Sequence, residues 1–278
     1  MNYAQPDVLV DTEWVSQQLK NPKVKVLEVD VDTSVYQQGH IPGAGGWNWT
    51  TQTQDQTRRD ILNKAQFESL MSEPGIATDS TVVLYGDSNN WFAAYAFWLL
   101  KLYGHDDVRI LNGGRKKWLD EKRVIATDTQ NLTHTVYKAK DPDLSLRAQW
   151  KDIHQGLGKS GRALVDVRSP AEFKGEILAA PGLTETAQRA GHIPGAISIP
   201  WALAVKEDST FKSVEDLQQI YVSKGVSRDK EVTAYCRIGE RSSHTWFVLK
   251  YLLGYRNVRN YDGSWTEWGN MVNVPIEK

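Results

Sequence analysis

A single cysteine, Cys236, stands in a chain of 278 residues. An internal disulfide, a CxxC redox pair and a cysteine-rich zinc site are therefore excluded, and stability must come from packing. An excess of one charge is missing too. The formal net charge is -1 at pH 7, which gives no electrostatic case for nucleic acid or an anionic membrane as a partner. Long hydrophobic runs are absent. The longest apolar stretch, Trp91–Leu102, is interrupted by Lys101 and falls well short of the ~20 residues that span a bilayer. Residues 1–10 lack the basic start and apolar core of a secretory signal, so a cytoplasmic protein is expected.

What is present fits a globular protein: hydrophobic residues make up 40% and charged residues 24%. The length suits two domains of ordinary size better than one. An internal repeat supports that division. Gly39-His40-Ile41-Pro42-Gly43-Ala44 returns as Gly191-His192-Ile193-Pro194-Gly195-Ala196, an offset of 152. Upstream, the segment beginning Glu13-Trp14 resembles the one beginning Gln149-Trp150 at an offset of 136. Downstream, residues 108–118 match residues 258–268 at an offset of 150. Three matches in one order indicate duplication. The second copy has gained about 16 residues before its Gly191, and residues 175–189, containing Gly, Ala and Pro, read as a loop inserted there.

Each copy alternates strands and helices. Residues 25–31, 81–85, 163–167 and 231–235 have β-rich patterning. Residues 65–72, 92–103, 214–224 and 242–253 have helical spacing. Such alternation predicts an α/β fold, a parallel sheet with helices on both faces, in each copy. Residues 128–145, rich in Thr, Lys and Asp, read as the linker.

The chemistry is expected at Cys236. The strand 231–235 ends one residue before it, and a short loop leads to a helix starting near Ser242. Ligands of open α/β sheets bind beyond the carboxyl ends of strands. Backbone N–H groups of Ile238, Gly239, Glu240 and Ser242 can converge as an anion nest, backed by the positive end of the helix. Arg237 and Arg241 add cationic side chains. Together these predict a stabilised thiolate, the nucleophilic form. A free cysteine has a pKa of ~8.5, and lowering it by ~2 units requires about 2.7 kcal/mol of differential stabilisation. The competing expectation is an inert buried thiol.

The two GHIPGA segments, the Cys236–Ser242 loop (CRIGERS) and Tyr261-Asp262-Gly263-Ser264-Trp265 with its counterpart at residues 111–115 resemble the tandem-domain rhodaneses, the thiosulfate/3-mercaptopyruvate sulfurtransferase family, over nearly the whole chain. The resemblance implies two rhodanese-like domains: residues 1–128 without the cysteine, a linker over 129–145, and a catalytic domain over 146–278. It implies a ping-pong reaction with no metal or organic cofactor. Cys236 takes the outer sulfur of a small anionic donor as a persulfide and passes it to cyanide or a thiol, a reduced dithiol protein being one candidate acceptor. A cation directly after the cysteine, here Arg237, resembles the thiosulfate type; 3-mercaptopyruvate is the alternative donor. The sequence departs from the animal enzymes at Ile238 and Pro194, where they place lysine and arginine. The same offset sets Gly86 opposite Cys236.

Other residues carry competing readings. Asp166 either orients the cysteine loop through its backbone N–H groups or pairs with Arg168. Arg241 either binds the donor or pairs with Glu240 or another carboxylate. His40 and His192 recur in both copies and are expected to serve the fold; His244 is expected to be a helix residue. Trp201, Trp246 and Trp265 line a cleft or fill the core. Ser242 and Ser243 suit helix N-caps. Two rival functions remain: a cysteine-dependent phosphatase or arsenate reductase, against which the loop reads C-x4-R rather than C-x5-R, and a binding module without turnover.

Overall fold

The computed structural model describes residues 2–128, 133–182 and 187–278. Parts of two expected features, the linker at 129–132 and the inserted loop at 183–186, lie outside the described residues. The chain forms two compact units. One gathers Asp7–Asp143 and Lys206–Phe211; the other gathers the residues up to Pro6, Leu144–Val205 and Lys212–Lys278.

The first unit is built on five parallel strands: β1 (Leu9–Val10), β2 (Val24–Asp30), β3 (Gly45–Asn48), β4 (Thr81–Tyr85) and β5 (Val108–Leu111), in the order β1-β5-β4-β2-β3. The last four residues of β4 are all buried, as expected of a central strand covered on both faces. The long apolar stretch of the sequence is the helix Trp91–Leu102, with Ala93–Leu100 buried throughout. Its hydrophobicity serves the core. No helix among the described residues is long and apolar enough to cross a membrane.

The second unit repeats the plan with four parallel strands: β6 (Arg162–Asp166), β7 (Ile197–Ser198), β8 (Glu231–Tyr235) and β9 (Val258–Asn260), ordered β7-β6-β8-β9. A lone parallel bridge between Arg147 and Asn260 lies at the β9 edge, where the first unit has β1. Helices alternate with the strands as Trp150–Gly156, Val214–Val222, Glu240–Phe247 and Ser264–Trp268. The helix after the cysteine loop starts at Glu240 rather than near Ser242 and passes into a π turn at Val248–Leu252. Its N-cap is Gly239, not a serine.

The repeated hexapeptide has the same work in each unit. In the first, Ile41 N–H donates to the Tyr85 hydroxyl at 3.0 Å; in the second, Ile193 N–H donates to the Tyr235 hydroxyl at 3.1 Å. Each tyrosine ends a central strand, so the hexapeptide is tied to the strand that emits the next loop. His40 stacks on Tyr36 and bonds its carbonyl; His192 stacks on Phe173 and bonds its carbonyl. Both histidines serve the turn.

Candidate active site

Cys236 is the first residue after β8 and is fully buried. Its loop is pinned from outside by the start of the helix Ser264–Trp268. Trp265 N–H donates to the Cys236 carbonyl at 3.1 Å, and Thr266 donates to the Arg237 carbonyl through N–H at 3.0 Å and its hydroxyl at 2.9 Å. With these carbonyls held outward, loop amides are free to face the sulfur. Gly239 N–H donates to Cys236 Sγ at 3.1 Å. The Ser242 N–H also favours the thiolate.

Gly239 has φ +102°, and a Cβ there would meet the Asp262 backbone at 2.9 Å. Only glycine makes this turn without strain. Asp262 is itself fixed by Arg147, with both guanidinium-to-carboxylate contacts at 2.8 Å.

The structure brings some expected residues to the sulfur and not others. Gly239 and Ser242 reach it. Glu240 reaches it through its side chain: Oε2 lies 3.2 Å from Sγ, accepting the thiol proton in a hydrogen bond. Ile238 is buried beside the loop and makes no hydrogen bond to the sulfur among the described residues. Arg237 is buried with Nη2 3.9 Å from Glu240 Oε1. Arg241 is held by Glu172, at 3.0 Å from Nη1 to Oε2 and 3.1 Å from Nη2 to Oε1. Asp166 pairs with Arg168, whose Nη2 lies 2.6 Å from Oδ2, and so grips the adjoining chain rather than the cysteine loop. The same Nη2 donates to the Gly191 carbonyl at 2.7 Å, tying the hexapeptide to β6.

These placements set burial and Glu240 against the expected thiolate. Burial pushes the Cys236 thiol up from its ordinary value and the Glu240 charge pushes it further, against Arg241 and the Ser242 N–H. The expectation counted Glu240 as an amide only; of the two readings of Arg241, the structure has the pairing with a carboxylate, Glu172. In three dimensions the carboxylate faces the sulfur, and Glu172 neutralises the guanidinium. Burial alone would raise the Glu172 carboxyl, but Arg241 and Ser169 hold it below its ordinary range.

Three contributors went unread in the sequence. Glu172, fully buried, closes a capping box with Ser169 in the short helix Pro170–Phe173. Ser-Pro-Ala-Glu is legible as a helix start, but not as the seat of Arg241. Ser264, at φ +51°, accepts Cys236 N–H on Oγ at 3.0 Å and lies 4.0 Å from Sγ. Its signal is the repeat, because its counterpart Gly114 is the residue expected at positive φ. Asn260, also fully buried, lies beneath the loop. It accepts the Ser242 hydroxyl at 2.6 Å and donates to Ser243 Oγ at 2.8 Å.

The remaining candidates are structural. Burial pushes His244 down to about 3, so it stays neutral near pH 7. Trp246 and Trp265 are core residues whose indole N–H groups reach Val258 O and Arg189 O at 3.0 Å. Trp201 meets His244 edge to face. At the described end of the inserted loop, Arg189 donates to the carbonyls of Trp268, Gly269, Met271 and Val274. A cavity of about 340 Å3 opens at the opposite, amino ends of β6 and β8, lined by Arg162 and Glu231.

Comparison with known proteins agrees with this architecture. The rhodanese-like domain family matches twice, over residues 11–121 and 149–271. A Haloferax volcanii protein named "Putative thiosulfate sulfurtransferase" is 53% identical, covering 98% of this chain and 96% of its own. The "Sulfur carrier protein TtuD" of Thermus thermophilus is 54% identical, covering 100% and 99%. Among solved structures, the anaerobic ergothioneine biosynthesis enzyme of Chlorobium limicola, in complex with trimethyl histidine, superposes with a TM-score of 0.88 at 25% identity, covering 99% of this chain and 71% of that one. A structure of EanB as a cysteine persulfide with ergothioneine gives 0.89 at 26% identity and the same coverage. The family match falls once on each of the two duplicated parallel α/β units, and the chain belongs to the rhodanese family as a tandem-domain sulfurtransferase.

Proposed function

We propose that the protein moves sulfane sulfur from thiosulfate to cyanide or a thiol through a persulfide on Cys236. The observation that carries this reading is the Gly239 N–H aimed at Cys236 Sγ at 3.1 Å, with Ser242 beside it. A sulfur at the focus of inward donors suits an anion, whether thiolate or persulfide. The thiolate attacks the outer sulfur of the donor, the S–S bond breaks, and its electron pair leaves with sulfite. The acceptor then attacks the outer persulfide sulfur and returns the thiolate. Burial and the Glu240 charge favour the protonated thiol, so the thiolate forms with its proton leaving to solvent before it attacks.

Residues 146–278 form the catalytic domain in this reading, residues 1–128 its cysteine-less repeat, and residues 129–145 the linker. Arg237 and Arg241 balance charge at the site. Relatives named for thiosulfate sulfurtransfer and for sulfur carriage support the donor and the hand-on to an acceptor, of which a reduced dithiol protein is one candidate. 3-Mercaptopyruvate is the alternative donor. A cytoplasmic setting is supported by chemistry that needs a reduced thiol. A phosphatase reading loses ground because Arg241, the residue that would cradle phosphate, has both terminal nitrogens on Glu172.

Intact-mass spectrometry tests the proposal. Thiosulfate should add one sulfur atom, cyanide should remove it, and Cys236→Ser should abolish the addition. A wild-type protein left unmodified by both donors would sink the reading.

A further inference from the structure

The buried charges around Cys236 cancel. Arg237 and Arg241 supply two cations, and Glu240 and Glu172 supply two carboxylates, all four buried. Glu172 takes Arg241 through two short hydrogen bonds. Glu240 Oε1 lies 3.6 Å from Arg241 Nε and 3.9 Å from Arg237 Nη2. Its Oε2 also lies 3.2 Å from the sulfur itself. The first repeat places Asn90, a neutral amide, four residues after Gly86, and Asn90 Oδ1 likewise turns back on the loop's first residue, accepting Gly86 N–H at 3.0 Å. The fold therefore builds this position with a side chain directed at the loop's start, and only the copy with the cysteine carries a charge there.

A sulfur donor must bring its transferable sulfur into contact with Cys236 Sγ, and hence within a few ångströms of Glu240 Oε2. In a water-poor site a carboxylate at that range repels anions strongly, in proportion to the charge they bring. From this geometry we infer that the Glu240 carboxylate is a specificity-determining group, a charge gate that disfavours dianionic sulfur donors such as thiosulfate relative to monoanionic ones. The inference rests on the reading of Cys236 as the sulfur carrier. With thiosulfate the bond broken is S–S and sulfite leaves as a dianion beside Glu240. With 3-mercaptopyruvate the thiolate attacks the donor sulfur, the C–S bond breaks, and its carbon takes up the donor's thiol proton as the electron pair leaves, so that monoanionic pyruvate departs. One fewer negative charge then passes the carboxylate.

The test uses the full-length protein, Glu240→Gln and Glu240→Asp, with persulfide formation followed at fixed ionic strength for both donors. In Glu240→Gln the ratio of thiosulfate to 3-mercaptopyruvate kcat/KM should rise at least about tenfold, a change equivalent to about 1.4 kcal/mol. The pH midpoint of Cys236 alkylation by iodoacetamide, a neutral reagent, should fall in the same variant. Glu240→Asp, which draws the charge back by one methylene, should raise the ratio less. An unchanged or falling ratio with normal folding overturns the gate. If Glu240→Gln does not fold, a flat ratio in Glu240→Asp overturns it. A wild-type protein that accepts sulfur from neither donor overturns the underlying reading as well, whereas normal wild-type loading with a flat ratio removes the gate alone.

Discussion

The loops that follow the two central strands, residues 86–91 and 236–241, began as copies and now do opposite things. In the second, the carbonyls of Cys236 and Arg237 are bound from outside and Gly239 N–H faces a sulfur. In the first, Gly86 replaces the cysteine and Ser88, Asn89 and Asn90 all have positive φ. Asn90 folds inward, accepts Gly86 N–H and donates to the Leu111 carbonyl at 2.8 Å. It thereby does for Gly86 what Ser264 does for Cys236, since Ser264 accepts Cys236 N–H and donates to Tyr261 O at 2.7 Å. The substitution is reciprocal: a Cβ on Gly114, the counterpart of Ser264, would lie 2.4 Å from Asn90 Oδ1. The layer beneath differs in the same sense. Asn260, Ser242 and Ser243 form a buried polar network under the cysteine loop, where the matched residues of the first copy are Ile110, Phe92 and Ala93. A strand end can thus keep its frame while its loop is filled in.

The comparison can be broken most forcefully at Arg241, whose counterpart is Trp91. Arg241→Ala leaves Glu172 buried without its partner and should cost about 3–5 kcal/mol by chemical denaturation. Changing Glu172→Gln and Arg241→Met together should recover much of that loss. A double variant as unstable as the single one would show that packing, not the unpaired charge, is responsible.

Restoring a cysteine to the first copy is the next largest change. A Cβ at Gly86 would lie 2.4 Å from the Val29 carbonyl and 2.9 Å from Asp30 Oδ1. Gly86→Cys should therefore destabilise by about 1–3 kcal/mol, and in a Cys236→Ser background it should take up no sulfur from thiosulfate by intact mass. Sulfur uptake there would mean that the first loop is latent rather than filled.

Making the second copy like the first at Asn260 should cost less. Asn260→Ile leaves the hydroxyls of Ser242 and Ser243 with the Gly239 carbonyl as acceptor, so a loss of about 1 kcal/mol is expected. Slower persulfide formation should accompany it, read from single-turnover mass spectra, because the residue whose amide faces the sulfur is less firmly held.

The last effect is a difference of slope rather than a fixed loss. Burial is the main cause that pushes the Asp30 carboxyl up to about 8; the Asp87 N–H bond opposes it, and the charges of Asp87 and Glu28 add to it. Its Oδ2 has no hydrogen-bond partner among the described residues. Below pH ~4 folded and unfolded chains both carry the proton. From there to about 8 only the folded chain keeps it, so this group's contribution to stability falls as pH rises, then levels off. Asp30→Asn lacks that titration. Its melting temperature relative to the wild type should climb between pH 4 and 8, and a constant difference would contradict the assignment.

Much of this was legible in the chain because it is written locally. Residues 81–85 and 231–235 carry the pattern of buried strands, and both are strands with those bounds. The repeat located Gly86 opposite Cys236, and both residues accept a hydrogen bond on their carbonyl from the start of a later helix, Arg115 N–H in one case and Trp265 N–H in the other. The helix after Cys236 starts two residues before the position expected from the sequence because its cap is a left-handed glycine, which looks like loop in a sequence. A serine at positive φ, as Ser264 is, has no signature of its own in a sequence.

The sequence by itself determined the duplication, the alternation of strands and helices and the place of the one cysteine, since each depends on neighbours a few residues away or on a repeated string. Only tertiary structure decided the electrostatics of the site. Glu172 meets Arg241 across 69 residues of chain and Ser264 meets Cys236 across 28. Glu240, though only four residues from the cysteine, could have faced solvent as readily as sulfur. Whether a thiol is held as an acid or as its anion depends on a balance of burial against charges brought from distant segments, and that balance exists only once the chain has folded.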